Sequence, residues 1–147
     1  MIHRTAFLAT LILACAALAE EPKKEDVAKN LLGTWQLTKG VVAGNPFPEE
    51  VVKKLKLELT DGKYKLLGAD SPDEGTWTID VGKKPFEMDI KGTDGPNKGK
   101  TYFCIFELKG DKLKVCYDLS GKARPTEFES KSKTLHFLAE YDRVKKE

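Results

Sequence analysis

The stretch Leu55–Leu67, "LKLELTDGKYKLL", decides the fold. Leu55, Leu57 and Leu59 alternate with Lys56 and Glu58, which is the period of a β-strand with one dry and one wet face. Asp61-Gly62 then supplies the pair that turns a chain back on itself in a tight hairpin, because both central positions of such a turn favour positive φ. Beyond the turn, Tyr64 and Leu66 take up the alternation again between lysines. Two strands and their turn are therefore written into thirteen consecutive residues.

The same period continues in both directions. Upstream, Trp35 to Val42 reads as a strand with Trp35 and Leu37 on one face. Downstream come Gly75 to Val81 with Trp77 and Ile79 together, then Phe86, Met88 and Ile90, then Thr101 to Leu108 and Lys112 to Tyr117 joined across Lys109-Gly110-Asp111, and finally Thr134 to Val144. A short piece at Thr126 to Glu129 adds one more strand to the expectation. Helical signals are confined to Asp26–Leu32, stopped by Gly33, and to Pro48–Lys54, with proline and acids in its first turn and lysines in its last. Short strands that each turn promptly into the next predict an all-β antiparallel meander, and closing it into an 8–9 stranded barrel removes the exposed edges. A two-sheet sandwich is the alternative architecture.

The start of the chain predicts an address. Residues 1–19 carry a basic start, His3 and Arg4, an apolar run from Ala6 to Ala17, and Ala17-Leu18-Ala19 before Glu20, the pattern of an export signal. The apolar run is shorter than the roughly 20 residues a membrane-spanning helix needs, so no transmembrane span is expected. A second reading takes Ile12-Leu13-Ala14-Cys15 as a lipoprotein box, which would anchor the exported chain by a lipid on Cys15. Either way residues 20–147 form one domain, periplasmic or secreted. The formal net charge of the whole chain is +2, and Arg4 leaves with the signal. With signs interspersed along the strands, nothing points to nucleic acid or to an anionic membrane.

The tripeptide Gly-Thr-Trp occurs twice, at Gly33–Trp35 and Gly75–Trp77, and holds the only two tryptophans. In each copy glycine lets the backbone bend close to a neighbour, threonine faces out and tryptophan turns in, as a plug at the barrel floor. Gly33-x-Trp35 with Arg143 near the chain end resembles the lipocalin and wider calycin pattern, in which the arginine lies across the tryptophan. Taken in order, "LLGTWQLTKGVVAGNPFPEE", "EGTWTID", "KPFEMDIKGTDGPNKGKT", "IFELKGDKLKVCYDLSGKARPTEF" and Tyr141-Asp142-Arg143 look like an uncharacterised exported, lipocalin-like domain family expanded in planctomycete bacteria. The resemblance covers nearly all of residues 20–147. It implies the barrel and export but no activity or ligand. It marks Gly33, Trp35, Gly75, Pro96, Asn97, Gly99, Cys116, Arg124, Pro125 and Arg143 as motif positions. Phe106 departs from it, where many members have tyrosine.

Sites for chemistry are sparse. "DGPNKGKT" from Asp94 to Thr101 approaches a phosphate-binding loop, but Asp94 stands where its first glycine belongs and a strand follows instead of a helix. It reads as a glycine- and proline-shaped solvent loop spanning Gly92 to Gly99. His136 is the only histidine after the leader, so zinc and redox sites lack ligands and no metal or cofactor is expected. Glu127 and Glu129 share a strand face and read as solvated. Cys104 and Cys116 fall on opposite sides of their hairpin in any register that keeps Phe106 with Leu113 or Val115, which predicts two free thiols. Arg124, stiffened by Pro125, is the candidate rim cation that could grip a carboxylate or phosphate; pairing with a local acid such as Asp118 or Glu127, which would fix the loop, is the favoured reading. The expected protein is not an enzyme. Its barrel interior, with candidate pocket residues Leu57, Leu59, Tyr64, Leu66, Phe86, Met88, Ile90, Tyr102, Phe106 and Tyr117, either holds a small hydrophobic ligand or is filled by its own side chains. In the second case the rim loops Gly92–Gly99 and Asp118–Thr126 become a surface for a protein partner.

Overall fold

The computed structural model describes residues 19–147. The leader up to Leu18, Cys15 included, lies outside them. Two short helices and nine strands follow in order: α1 Lys24–Leu31, β1 Gly33–Val42, β2 Asn45–Pro46, α2 Glu49–Lys54, β3 Lys56–Thr60, β4 Lys63–Leu67, β5 Asp73–Asp80, β6 Phe86–Asp94, β7 Thr101–Lys109, β8 Lys112–Asp118 and β9 His136–Arg143. Apart from β2, which folds back on the end of β1, each strand pairs antiparallel with the next, and β9 returns to β1 from Trp35↔Arg143 to Val42↔Phe137. The meander is a closed eight-strand barrel. Among the described residues no helix is long and apolar enough to cross a membrane.

The register carries out the period-2 reading. Leu57 faces Leu66 and Leu59 faces Tyr64 across the Asp61-Gly62 turn. Trp77 and Ile79 face Ile90 and Met88. Phe106 pairs with Val115 and Cys104 with Tyr117, leaving Cys104 in the interior and Cys116 outside with Ile105 and Leu138. Both thiols are free, as the opposite-face argument requires.

Strand directions divide the barrel into two ends. The floor carries α1 and the tight turns at Asp61-Gly62 and Gly110-Asp111; the mouth carries α2 and the connections 68–72, 95–100 and 119–135. At the floor Trp35 is fully buried, its indole N–H donating to the Leu31 carbonyl at 2.9 Å. Arg143 lies 4.2 Å from the centre of the Trp35 ring while its guanidinium donates to the carbonyls of Leu32 and Asn30 and to Asp111. One side chain thus satisfies the end of α1 and seals it to the barrel. Trp77 donates to the carbonyls of Thr60 and Lys63 and closes the same end beneath the first hairpin.

The repeated tripeptide has a reason in space. Each glycine makes room for a large side chain from another strand. A Cβ on Gly33, whose φ is +131°, would stand 3.3 Å from Arg143 Nη1. A Cβ on Gly75 would overlap the Lys91 carbonyl oxygen and press into the Tyr64 ring. Gly75→Ala is expected to cost about 1–3 kcal/mol, near the top of that range because a backbone carbonyl has to move. Urea unfolding that finds the variant as stable as wild type would contradict the close approach.

Several boundaries differ from the expectation. Residues 126–129 form no strand: they belong to the long connection 119–135, and the last strand starts at His136, not Thr134. β6 continues to Asp94, into the expected loop, because Gly92 is small enough for the chain at Asn97 to fold back over it. Helix α1 buries Val27 and Leu31 but leaves Leu32 37% exposed, since the helix ends one residue earlier. β5 starts at Asp73, two residues before Gly75.

Candidate functional site

The interior is filled at the floor and open at the mouth. Leu59, Met88 and Phe106 are buried in the solid lower core, and Phe86 packs on Phe106 with ring centres 5.5 Å apart. These candidate residues therefore line no space at the mouth, because each sits on the floor side of its strand. The other candidates, Leu57, Tyr64, Leu66, Ile90, Tyr102 and Tyr117, surround a pocket of about 110 Å³ together with Asp73, Asn97, Leu119, Phe137 and Tyr141. Ligand pockets usually span roughly 300–1,000 Å³, so this one suits a molecule far smaller than a lipid or a pigment. Larger depressions on the outer wall, such as one of about 340 Å³ over Thr38, Glu107 and Lys112, are framed by exposed lysines and acids.

All of the chain's four tyrosines line this single pocket. They come from β4, β7, β8 and β9, each at an inward position. Phe47, from the segment before α2, stacks on Phe137 with centres 5.2 Å apart, and Phe137 stacks on Tyr117 at the same distance. Tyr117 and Tyr141 join their hydroxyls at 3.2 Å.

A polar chain runs along one wall. Asp73 occupies the first inward position of β5 and is only 6% exposed. Asn97 donates to Asp73 Oδ2 at 2.6 Å, Tyr102 donates to Asn97 Oδ1 at 2.6 Å, and Tyr64 donates a longer 3.4 Å bond to Asp73 Oδ1. Every donor in the chain is directed toward the carboxyl group. Asn97 reaches it because the loop folds inward: Lys98 and Lys100 donate to the carbonyls of Gly95 and Asn97, and Gly99 to that of Gly92. Gly95, at φ +83°, sits so close to Pro72 that a side chain would overlap its carbonyl. The segment that approaches a phosphate loop in sequence is thus a clamp that delivers one amide to the mouth.

Burial, and next the Asp73 charge, push the Tyr64 and Tyr102 phenols above their ordinary value. Burial also raises Tyr117, with its neighbour Tyr141 adding to the rise. Tyr141 is pushed up to about 12, again by burial, although its bond with Tyr117 pulls the other way. All four therefore stay as hydroxyls near neutral pH. Cys104, directed away to the Tyr102 carbonyl, is raised by burial too and is no thiolate nucleophile.

Arg124 does not stand free at the rim. Its guanidinium bonds Asp89 at 2.6 Å, the carbonyls of Cys104 and Met88 at 2.7 and 3.1 Å, and approaches Glu87 at 3.3 Å, with the Phe103 ring 5.3 Å away. The expected acids, Asp118 and Glu127, are not its partners: the connection lies across the outer wall and brings Arg124 to β6. Arg124→Ala should cost about 1–3 kcal/mol and loosen residues 119–135, an effect that faster amide exchange there would report. Lysine should recover little, since the planar fork serves several acceptors at once.

Asp118 takes a different task, as the hub of that connection. It is 3% exposed and accepts from Ser120 N and Oγ, Lys122 N and Ala123 N. His136 lends its carbonyl to Ser130 and Ala43, and Glu129 pairs with Lys131. No group of three or more metal-binding side chains forms among the described residues.

Sequence reasoning missed Asp73 and Tyr141. Extending the alternation of Trp77 and Ile79 back past Gly75 reaches Asp73, so the signal was present. Tyr141 shares a face with Ala139 in the same way. Asn97 was marked only as a motif position, and no periodicity could assign it a direction. Comparison with protein-family models, with curated proteins and with solved structures found no match to this chain.

Proposed function

We propose that this chain is an exported, non-catalytic, lipocalin-like barrel that binds a small ligand with an apolar body at its mouth. The observation that carries the reading is the convergence of all four tyrosines, from four different strands, on one pocket that also holds a buried acid and a half-buried amide. A barrel that served only as a scaffold would gain most from filling that space with apolar side chains, as it does at the floor with Leu59, Met88 and Phe106. The Arg143–Trp35 contact supports the calycin resemblance, and the residues 1–19 pattern supports export. The polar groups that converge at the pocket are engaged with one another, Asn97 and Tyr64 donating to Asp73, and burial keeps the phenols protonated, so they can serve as hydrogen-bonding partners for a ligand. The rim-loop alternative is less favoured, because Arg124 is already committed to Asp89 and Glu87.

The volume sets the test. Three probes with one branched carbon skeleton, isobutanol, isobutylamine and isobutyrate, are titrated into protein carrying ring-13C tyrosine, with palmitate as the large control. At least one small probe should move the tyrosine signals saturably, with a dissociation constant of about 1 mM, as its few atoms allow. Palmitate should leave them unmoved. Failure of all three small probes would overturn the reading, and saturable binding of palmitate at the tyrosines would overturn the size assigned to the ligand.

A further inference from the structure

The geometry points to a cation: the mouth pocket is an aromatic and carboxylate box for a small alkylammonium, with Asp73 as its counter-ion. This rests on the small-ligand reading and names the ligand's chemical class.

The charge is the first observation. Asp73 is an acid at an inward barrel position, almost fully buried, and buried acids ordinarily lie against a cation. Here the pocket lining contains no lysine, arginine or histidine. Among the described residues the ion pairs join other acids: Lys65 is drawn outward to Glu74, and Arg124 is held on the outer wall by Asp89 and Glu87. Asn97 and Tyr64 supply neutral donors, and the Tyr64 bond is long. A carboxylate has about four acceptor positions, so sites remain for the N–H groups of a ligand. A charge-assisted bond from an ammonium is about twice as strong as one from a neutral group.

The walls are the second observation. Tyr64, Tyr102, Tyr117, Tyr141 and Phe137 offer π-faces and hydroxyl oxygens, and the face of an aromatic ring attracts cations. Aromatic walls beside one acid are a known arrangement for holding ammonium groups, where the desolvated charge is met on several sides. An anionic ligand would meet the Asp73 charge with no basic group to offset it. A neutral apolar ligand would fit the walls but leave Asp73 as it stands. The pocket, at about 110 Å³, admits an ammonium with a short branched or cyclic body. Leu57, Leu66, Ile90 and Leu119 would take that body.

The same three probes decide it, because they differ in charge at a common skeleton. At pH 7 isobutylamine is a cation, and it should bind at least about tenfold more tightly than isobutanol, with isobutyrate weakest. Asp73→Asn keeps the shape and should bring amine and alcohol to within about twofold of each other. If isobutanol binds as tightly as isobutylamine in wild type, the ammonium inference is overturned and the small-ligand reading survives. Tyrosine signals unmoved by any probe would overturn both. An Asp73→Asn protein that folds and keeps the wild-type preference would also overturn the role of Asp73. Should that variant not fold, the wild-type order of the three probes decides alone.

Discussion

Trp35→Ala is expected to destabilise the protein by about 3–5 kcal/mol, the range for emptying a large, fully buried aromatic site. Three losses coincide at that position. The cavity opens under the floor; the Leu31 carbonyl loses the indole N–H; and Arg143 loses the ring it covers at 4.2 Å. Total stabilities of such domains run about 5–15 kcal/mol, so most of the folded population's margin is at stake. Urea unfolding should show the midpoint fall steeply, with α1 released first, since its last carbonyls depend on Arg143. Trp35→Phe should cost less, because it keeps a ring for the guanidinium. A loss under about 1 kcal/mol for the alanine variant would mean that the floor does not rest on this residue.

The second large effect belongs to Asp118, and it depends on pH. Burial by itself would raise this carboxyl, but the donors from Ser120, Ala123 and Lys122 together outweigh it and hold the group below its usual value of 3.8. A depressed folded-state pKa means that the ionised form is favoured by folding. The contribution is fully present above the unfolded value and disappears as pH falls through the folded one. Asp118→Ala is expected to cost about 2–3 kcal/mol at pH 7, with several donors left unpaired. The gap between variant and wild type should begin to narrow as pH falls past the unfolded-state value of about 4, and shrink further as pH falls through the lower folded-state one. Asp118→Asn, which keeps an acceptor without the charge, should fall between them. A gap unchanged between pH 7 and pH 3 would contradict an ionised hub.

How much of this was legible in the sequence depends on whether the cause is local. Leu55–Leu67 specifies two strands and a turn because alternation and Asp-Gly act within a few residues. Free Cys104 and Cys116 follow from the same alternation applied to a hairpin. The barrel's closure was argued from its edges, and β9 does pair with β1. The strand expected at 126–129 failed for the opposite reason. Glu127 and Glu129 read as one face of a strand, but Asp118 and Arg124 organise the whole connection through contacts that its own residues do not announce.

The site was half legible on the same grounds. Tyr64, Tyr102 and Tyr117 could be assigned to the interior by period, but period does not tell floor from mouth. Leu59, Met88 and Phe106 are as inward as Ile90, yet they pack solidly. Depth in a barrel follows from strand stagger, which is fixed only when the sheet closes. Asp73 fell to a different bias: an acid beside Pro72 reads as loop, although its inward position is two residues from Gly75. Arg124 was noticed for its rigid neighbour, and its partners Asp89 and Glu87 lie more than thirty residues away.

The central claim is that all four tyrosines line one pocket inside a closed barrel, and their ionisation reads it directly. Absorbance at 295 nm followed from pH 8 upward reports phenolate formation. Every one of the four is raised above the ordinary value of 10.0, with Tyr141 pushed up to about 12. Raised folded-state values also mean that stability is fully present below pH 10 and is lost as pH rises through them. The account predicts little change through pH 10, then a steep rise that coincides with unfolding. Two or more tyrosines titrating reversibly near pH 10 in the folded protein would contradict it.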